Sequence, residues 1–287
     1  MSKSKVSLAV LTWKSPKTLH ACLTSIAPLF DFFDERLIVC QESDPREIEI
    51  AEEFGMRIVA TKTNLGIQGG LKKCFEEARN ELVFFCENDL QLSVPVKRAV
   101  TTLSFAADYM MTNDAKCTYL RYLPQSAERR AKDFHKFWRV EGNIVKPRLK
   151  ARLRPRTARF KLGKASPYIH QERLSCHGFE TVSEDFLLTD SSCHPHENRA
   201  LLAKRSYIST LIDFAEANST SRQVNGSPDL EHPLNCRQNR DWFINQKFQT
   251  LIAVPGVFGH RRYDRDAQDD KWHMVNPVDD GGEVVVS

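Results

Sequence analysis

The first 95 residues alternate short apolar runs with stretches of helical period, and this constrains the fold more than any other feature of the 287-residue chain. Val6 to Thr12, reading VSLAVLT, is apolar and β-branched without helical spacing, which predicts a strand buried on both faces. In KSPKTLHACLTSI, Ser15 stands where a helix cap belongs, Pro16 at the first helical position, and Leu19, Leu23 and Ile26 on one face. RLIVCQ from Arg36 predicts a second strand, Pro45 to Phe54 a short helix stopped by Gly55, and RIVAT from Arg57 a third strand. KTNLGIQGG reads as a loop that opens a helix carrying Leu71, Phe75 and Ala78, and ELVFFC as a fourth strand. This alternation predicts an α/β protein: a mainly parallel sheet with helices on both faces. Ligands of such sheets bind beyond the carboxyl ends of the strands. Thr12, Gln41 to Asp44, Asn64 to Gly70 and Glu87 to Asp89 then share one rim.

The run FFCENDL sharpens that expectation, because an apolar strand there ends abruptly in two carboxylates and an amide, Glu87, Asn88 and Asp89. A strand end reaching water, or a helix cap, explains such residues without chemistry; a metal site at the rim explains them with it.

Beyond Asp89 the pattern loosens. A helix over about Val94 to Met111, a strand near CTYLRYL, helices over about Lys204 to Ala217 and near Arg240 to Phe248, and a strand in TLIAVPG are legible, while residues 125–165 show no persuasive period. The composition, 41% hydrophobic and 27% charged, is that of a globular chain and argues against disorder. No apolar run approaches the roughly 20 residues of a membrane helix, and the apolar stretch in MSKSKVSLAV is too brief for a signal peptide. The expected location is the cytoplasm. Eight cysteines without a Cys-x-x-Cys pair, several of them (Cys40, Cys74, Cys86) in apolar segments, predict reduced, buried thiols. Between Arg129 and Lys164 stand fourteen Lys or Arg against Asp133 and Glu141, a basic density that asks for an anionic partner or forms a solvated excursion.

Taken in order, VSLAVLTWKSPKTLHACLTSI, a second strand ending in QESD, the NLGIQGG loop and LVFFCEND resemble the nucleotide-sugar half of a family 2-like inverting glycosyltransferase. The resemblance implies a GT-A fold, a Rossmann-like, mainly parallel sheet flanked by helices, with an irregular acceptor-binding C-terminal half. Residues 1–125 would be the nucleotide-sugar half and 126–287 the acceptor half of one domain, with a mobile basic segment at 129–164. The implied activity is metal-dependent hexosyl or pentosyl transfer with inversion, from a nucleoside diphosphate donor, UDP above others, to a hydroxyl of a glycan, lipid-linked or protein-linked acceptor. Mn2+ or Mg2+ would be the cofactor.

By position in the resemblance, Thr12 frames the nucleotide base, Glu42 (with Asp44 second) contacts uridine and ribose, and Asn64, Gly66 and Gly70 bring backbone close to the nucleotide. Leu71 and Lys72 stand where the family often has Arg or Asn. Glu87, Asn88 and Asp89 stand at the Asp-x-Asp motif, with Asp89 the direct metal ligand and Glu87 replacing the first Asp. DLEHPLNCRQNRDWF and LIAVPGVFGHRR supply Glu231 as general base and His260 to complete the metal shell, with Asp229, Glu184 and Asp185 as competing bases. A solvated acid at a helix start and an ordinary loop histidine are the bland readings of Glu231 and His260.

A zinc site at Cys176, His177, Cys193, His194 and His196 lacks the usual ligand spacing, and this stretch is read instead as lining the acceptor pocket. The basic segment is read first as a loop that closes over the diphosphate or holds an anionic acceptor, with contact to anionic membranes as a further role. Nucleic acid is disfavoured because few aromatics interleave the cations. The rival from another class is a non-catalytic GT-A-like protein whose basic segment grips an anionic polymer. A sugar nucleotidyltransferase ranks third, because no Gly-rich basic loop follows the first strand.

Overall fold

Strand β1 (Val6–Thr12) is buried along its whole length and lies inside the main sheet, with a strand on either side. In this computed structural model the described residues are 4–121, 134–141, 144–166, 177–220, 223–224 and 227–264. After β1 come α1 (Pro16–Ile26), β2 (Glu35–Cys40), α2 (Pro45–Glu53), β3 (Arg57–Ala60), α3 (Gly66–Glu77) and β4 (Leu82–Glu87). The pairings β3–β2, β2–β1 and β1–β4 are all parallel. Then follow β5 (Leu90–Leu92), α4 (Val96–Thr112), β6 (Cys117–Tyr119), the hairpin β7 (Trp138–Glu141) and β8 (Ile144–Pro147), α5 (Leu149–Leu153) and α6 (Pro155–Ala165). The last third carries β9 (Glu180–Ser183), β10 (Phe186–Asp190), β11 (Leu201–Lys204), α7 (Arg205–Ala217), the short pair β12 (Gln223–Val224) and β13 (Ser227–Pro228), α8 (Glu231–Asn235), α9 (Arg240–Gln246), β14 (Gln249–Ala253) and β15 (Phe258–His260).

Nine strands form one sheet in the order β3-β2-β1-β4-β11-β6-β14-β10-β9. The pairing directions leave only β11 and β10 running against the other strands, so the sheet is mainly parallel. Alternation along the strands sends Val6, Leu8, Val10 and Phe84 to one face, where α1 and α4 cover them with Leu19, Leu23, Leu103 and Met110. Ala9, Leu11, Val83 and Phe85 go to the other face, beneath Leu71 and Phe75 of α3 and Tyr207, Ile208 and Leu211 of α7. The seven described cysteines are free and six of them are buried, as small apolar fillers of these layers. No helix among the described residues is long and apolar enough to cross a membrane.

Three local expectations change. Ser15 makes no side-chain cap; its Oγ donates to Trp13 O at 3.2 Å, and its N donates to the buried Glu47 Oε1 at 2.9 Å, so Glu47 fixes the start of α1. The glycine loop is already helix, since α3 begins at Gly66, whose φ of +70° only glycine takes without strain. A Cβ on Gly70 would stand 2.6 Å from Leu11 Cδ1, so this glycine serves the approach of α3 to β1. Finally, the stretch without visible period holds a hairpin and two helices around a small core of Phe137, Trp138, Val145, Ala158 and Leu162. Its strands and first helix are too short to print a period. Helix α6 sits so close to the next loop that a Cβ on Gly163 would lie 2.1 Å from Cys193 O. Gly163→Ala is expected to destabilise the protein by about 3 kcal/mol, because backbone rather than a pliable side chain must move; urea midpoints measure this.

Candidate active site

The carboxyl ends of β1 and β4 and the start of α3 enclose a cavity of about 120 Å³. Thr12, Gln41, Asn64, Gly66, Glu87 and Asn88 of the expected rim line it, together with Trp13 and two residues the sequence did not single out, Arg262 and Asp264. A network fixes its floor. Thr12 Oγ1 donates to Glu47 Oε1 at 2.5 Å and accepts from Asn88 Nδ2 at 2.9 Å. Gln41 Oε1 accepts from Leu65 N at 2.7 Å, and Asn64 Oδ1 from Gly66 N at 2.7 Å, which ties the α3 start to the rim. Glu47 is wholly buried and burial pushes its pKa up.

Other expected donor contacts fall outside this cavity. Glu42 accepts from Trp13 Nε1 at 3.2 Å and pairs with Lys14, so it reaches the cavity only by bracing Trp13. Asp44 caps α2 by accepting from Arg46 N at 3.0 Å and pairs with the Arg46 guanidinium, which is a structural task. Gly70 lies inside α3 against Leu11, as described above.

Beside the cavity, Asp89 is 2% exposed. Strand β15 pairs with β5 so that His260 stands opposite Leu90, and the Arg261 N–H donates to Asp89 O at 2.8 Å. This ladder brings together residues 171 positions apart: His260 Nδ1 lies 3.1 Å from Asp89 Oδ1, and Arg262 Nε donates to Asp89 Oδ2 at 2.6 Å. Burial alone would raise the Asp89 pKa, but His260 and Arg262 hold it well below the usual carboxylate range. Burial pushes the His260 pKa down, against the pull of Asp89. Glu87 behaves oppositely: burial, and then the charge of Asp89, push its pKa up to about 7 against the pull of Arg199 and Arg262.

Glu231 opens α8, and its N–H donates to Asp229 Oδ1 at 3.1 Å. The Glu231 Oε1 accepts from Asn198 N at 2.9 Å; burial, and then Glu197, raise its pKa. Arg199 lies within electrostatic reach of Glu87, Glu231 and His260. Glu197 in turn pairs with Lys164 at 3.0 Å and Arg121 at 3.8 Å. Asp185 is on the turn between β9 and β10 in an exposed pair with Arg98 at 3.0 Å, and Glu184 adjoins it.

A divalent ion fits two of these side chains. Asp89 Oδ1 and His260 Nε2 are buried without a hydrogen-bond partner, and a carboxylate oxygen with an imidazole nitrogen is a donor set suited to Mn2+. Among the described residues no three His, Cys, Asp or Glu side chains form a metal-holding cluster, so the remaining ligands would come from the bound substrate and water. At the histidine-rich stretch, His177 Nε2 lies 2.6 Å from Val145 O and His196 Nε2 lies 3.0 Å from Asn198 Oδ1. Cys176 is outside the described residues. Arg199, Arg121 and Glu197 were not visible as site residues in the sequence, since only strand pairing brings them to Glu231 and His260.

The solved structure of glucosyl-3-phosphoglycerate synthase from Mycobacterium tuberculosis, in complex with Mn2+, UDP and phosphoglyceric acid, is similar with a TM-score of 0.50 and 16% identity, over 93% of this chain and 74% of that one. The structure of S. aureus TarS 1-349 is similar over 89% of this chain and 60% of that one, with 15% identity and a TM-score of 0.44. No curated protein matches the chain in sequence. The model of glycosyl transferase family 2 matches residues 7–166, more than half of the chain. With a GT-A fold and that match, the chain belongs to glycosyl transferase family 2 and is a glycosyltransferase.

Proposed function

We propose that the protein moves a sugar from a nucleoside diphosphate donor, UDP above others, to a hydroxyl of a glycan, lipid-linked or protein-linked acceptor, with inversion at the anomeric carbon. The observation that carries this reading is the meeting of Asp89 and His260 at 3.1 Å beside the cavity lined by Thr12, Asn64, Glu87 and Asn88. In this reading the donor nucleoside enters that cavity, and Arg262, which lines it, faces the diphosphate. Residues 1–125 hold the donor and 126–287 the acceptor, and the reaction takes place in the cytoplasm. Asp89 and His260 hold Mn2+ or Mg2+, which when bound neutralises charge on the departing diphosphate.

Glu231 takes the proton from the acceptor hydroxyl while that oxygen forms its bond to the anomeric carbon. The bond from that carbon to the diphosphate oxygen breaks on the opposite face, and the nucleoside diphosphate leaves with the electron pair. The raised pKa of Glu231 supports this role, because it makes the carboxylate a stronger base than an ordinary glutamate. Asp229 is less suited, since one of its oxygens already accepts the Glu231 N–H.

Calorimetric titration with UDP-, GDP- and dTDP-sugars, with and without Mn2+, tests the donor side. A UDP-sugar is expected to bind, and to bind tighter when Mn2+ is present. A folded protein that binds none of the three donors would overturn the reading.

A further inference from the structure

Helix α5 presents an unusual surface for a short element. It buries Ala151 and turns Leu149 and Leu153, four residues apart and so on one face, to solvent. These leucines are 72% and 73% exposed, the two most exposed large apolar side chains among the described residues. Cations are dense beside them in the sequence: Arg148, Lys150, Arg152, Arg154, Arg156 and Arg159 are all exposed. From Gly142 to Gln171 the sequence has no Asp or Glu. Some of these cations are spoken for, as Arg156 pairs with Asp241 at 2.9 Å and Lys150 lies 5.2 Å from the centre of the Phe137 ring. The side chains of Arg152, Arg154 and Arg159 make no ion pair among the described residues.

A solvated charged excursion accounts for the cations but not for the leucines, which water disfavours. A polyanion such as nucleic acid accounts for the charge alone, and aliphatic leucines offer bases no stacking surface. An anionic bilayer satisfies both, since phosphate headgroups take the cations and the acyl boundary takes the apolar side chains. We infer that the α5 face, with Leu149 and Leu153 at its centre and Arg152, Arg154 and Arg159 around them, docks the protein on membranes rich in anionic lipid.

The docking has a consequence for the acceptor, which rests on the function proposed above. Helix α6 starts beside α5, is 11 residues long, about 16 Å of rise, and ends with Lys164 on Glu197, the neighbour of Glu231. Docking through α5 then links the proposed base to the bilayer through the length of α6, which suits a hydroxyl on a lipid-linked acceptor.

Sedimentation with vesicles tests this, using phosphatidylcholine alone and an equimolar mixture with phosphatidylglycerol. The full chain is expected to co-sediment with the mixed vesicles and not with the neutral ones. Changing Leu149 and Leu153 together to Ala is expected to weaken partition at least about tenfold. Arg152→Gln and Arg154→Gln are each expected to weaken it about fivefold. All these positions are exposed, and unaltered thermal unfolding shows that the variants fold. Equal binding to both vesicle types, or binding to neither, overturns the inference. So does unchanged binding by the double leucine variant, which would make the patch a polyanion site, most plainly if an oligonucleotide displaces the vesicles. Asp89→Asn should bind vesicles as the parent does; loss of donor binding in the parent with docking retained would overturn the proposed function and leave this surface standing.

Discussion

Asp89→Asn is expected to lower sugar transfer by about 10³-fold or more, the scale of losing a main electrostatic group at a departing anion. The substitution keeps the shape of the side chain but removes the charge that Arg262 pairs with at 2.6 Å and the oxygen beside His260. Donor turnover measured with saturating Mn2+ reads the effect, and near-parental activity would remove Asp89 from the metal role. Stability supplies an independent reading. The folded-state pKa of Asp89 is held below its ordinary value, so its charge stabilises the fold above that ordinary value, 3.8, and the contribution is lost as pH falls through the depressed one. The parent should therefore exceed Asp89→Asn in urea midpoint at neutral pH, and the two curves should converge in acid.

Glu231→Gln is expected to leave UDP-sugar affinity unchanged while slowing transfer about 10²- to 10⁴-fold, the range for removing a general base. Because a base must be ionised, kcat/KM of the parent should rise with pH through an ionisation above the ordinary glutamate value of 4.5, raised by burial and then by Glu197. Glu197→Gln takes away the second cause and should move that limb toward lower pH. Unaltered turnover in Glu231→Gln would send the search for the base to another carboxylate, beginning with Asp229.

The N-terminal part of the sheet was legible because its information is local. Strands β1 and β4 bury both faces and read as unbroken apolar runs, β2 and β3 are short apolar runs between helices, and each helix keeps one apolar face, so pattern alone located them. Asp89 stood out because a carboxylate directly after such a run has no apolar reason to be there. The rest is non-local. Strands β9, β10 and β11 have four or five residues each, too few to show a period. Arg262 carries no local mark in the sequence, and only the pairing of β15 with β5 brings it to Asp89. The glycines after Asn64 were visible but ambiguous, because a close approach of helix to strand and a close approach to a ligand ask for the same missing side chain.

The antiparallel insertion of β11 between β4 and β6 sets a limit on modularity. Strand β6, from the first half of the sequence, is flanked by β11 and β14 from the second, so the two halves are interleaved like fingers rather than joined end to end. A fragment ending near residue 125 would leave β4, with Phe84 and Phe85, as a bare edge open to pairing with other chains. Exchange of acceptor preference with a relative cannot then proceed by swapping halves. Under the function proposed above, it has to be done by grafting between fixed strand ends, in the loop before β11 and in the β7 to α6 insert, where the sheet register is left untouched.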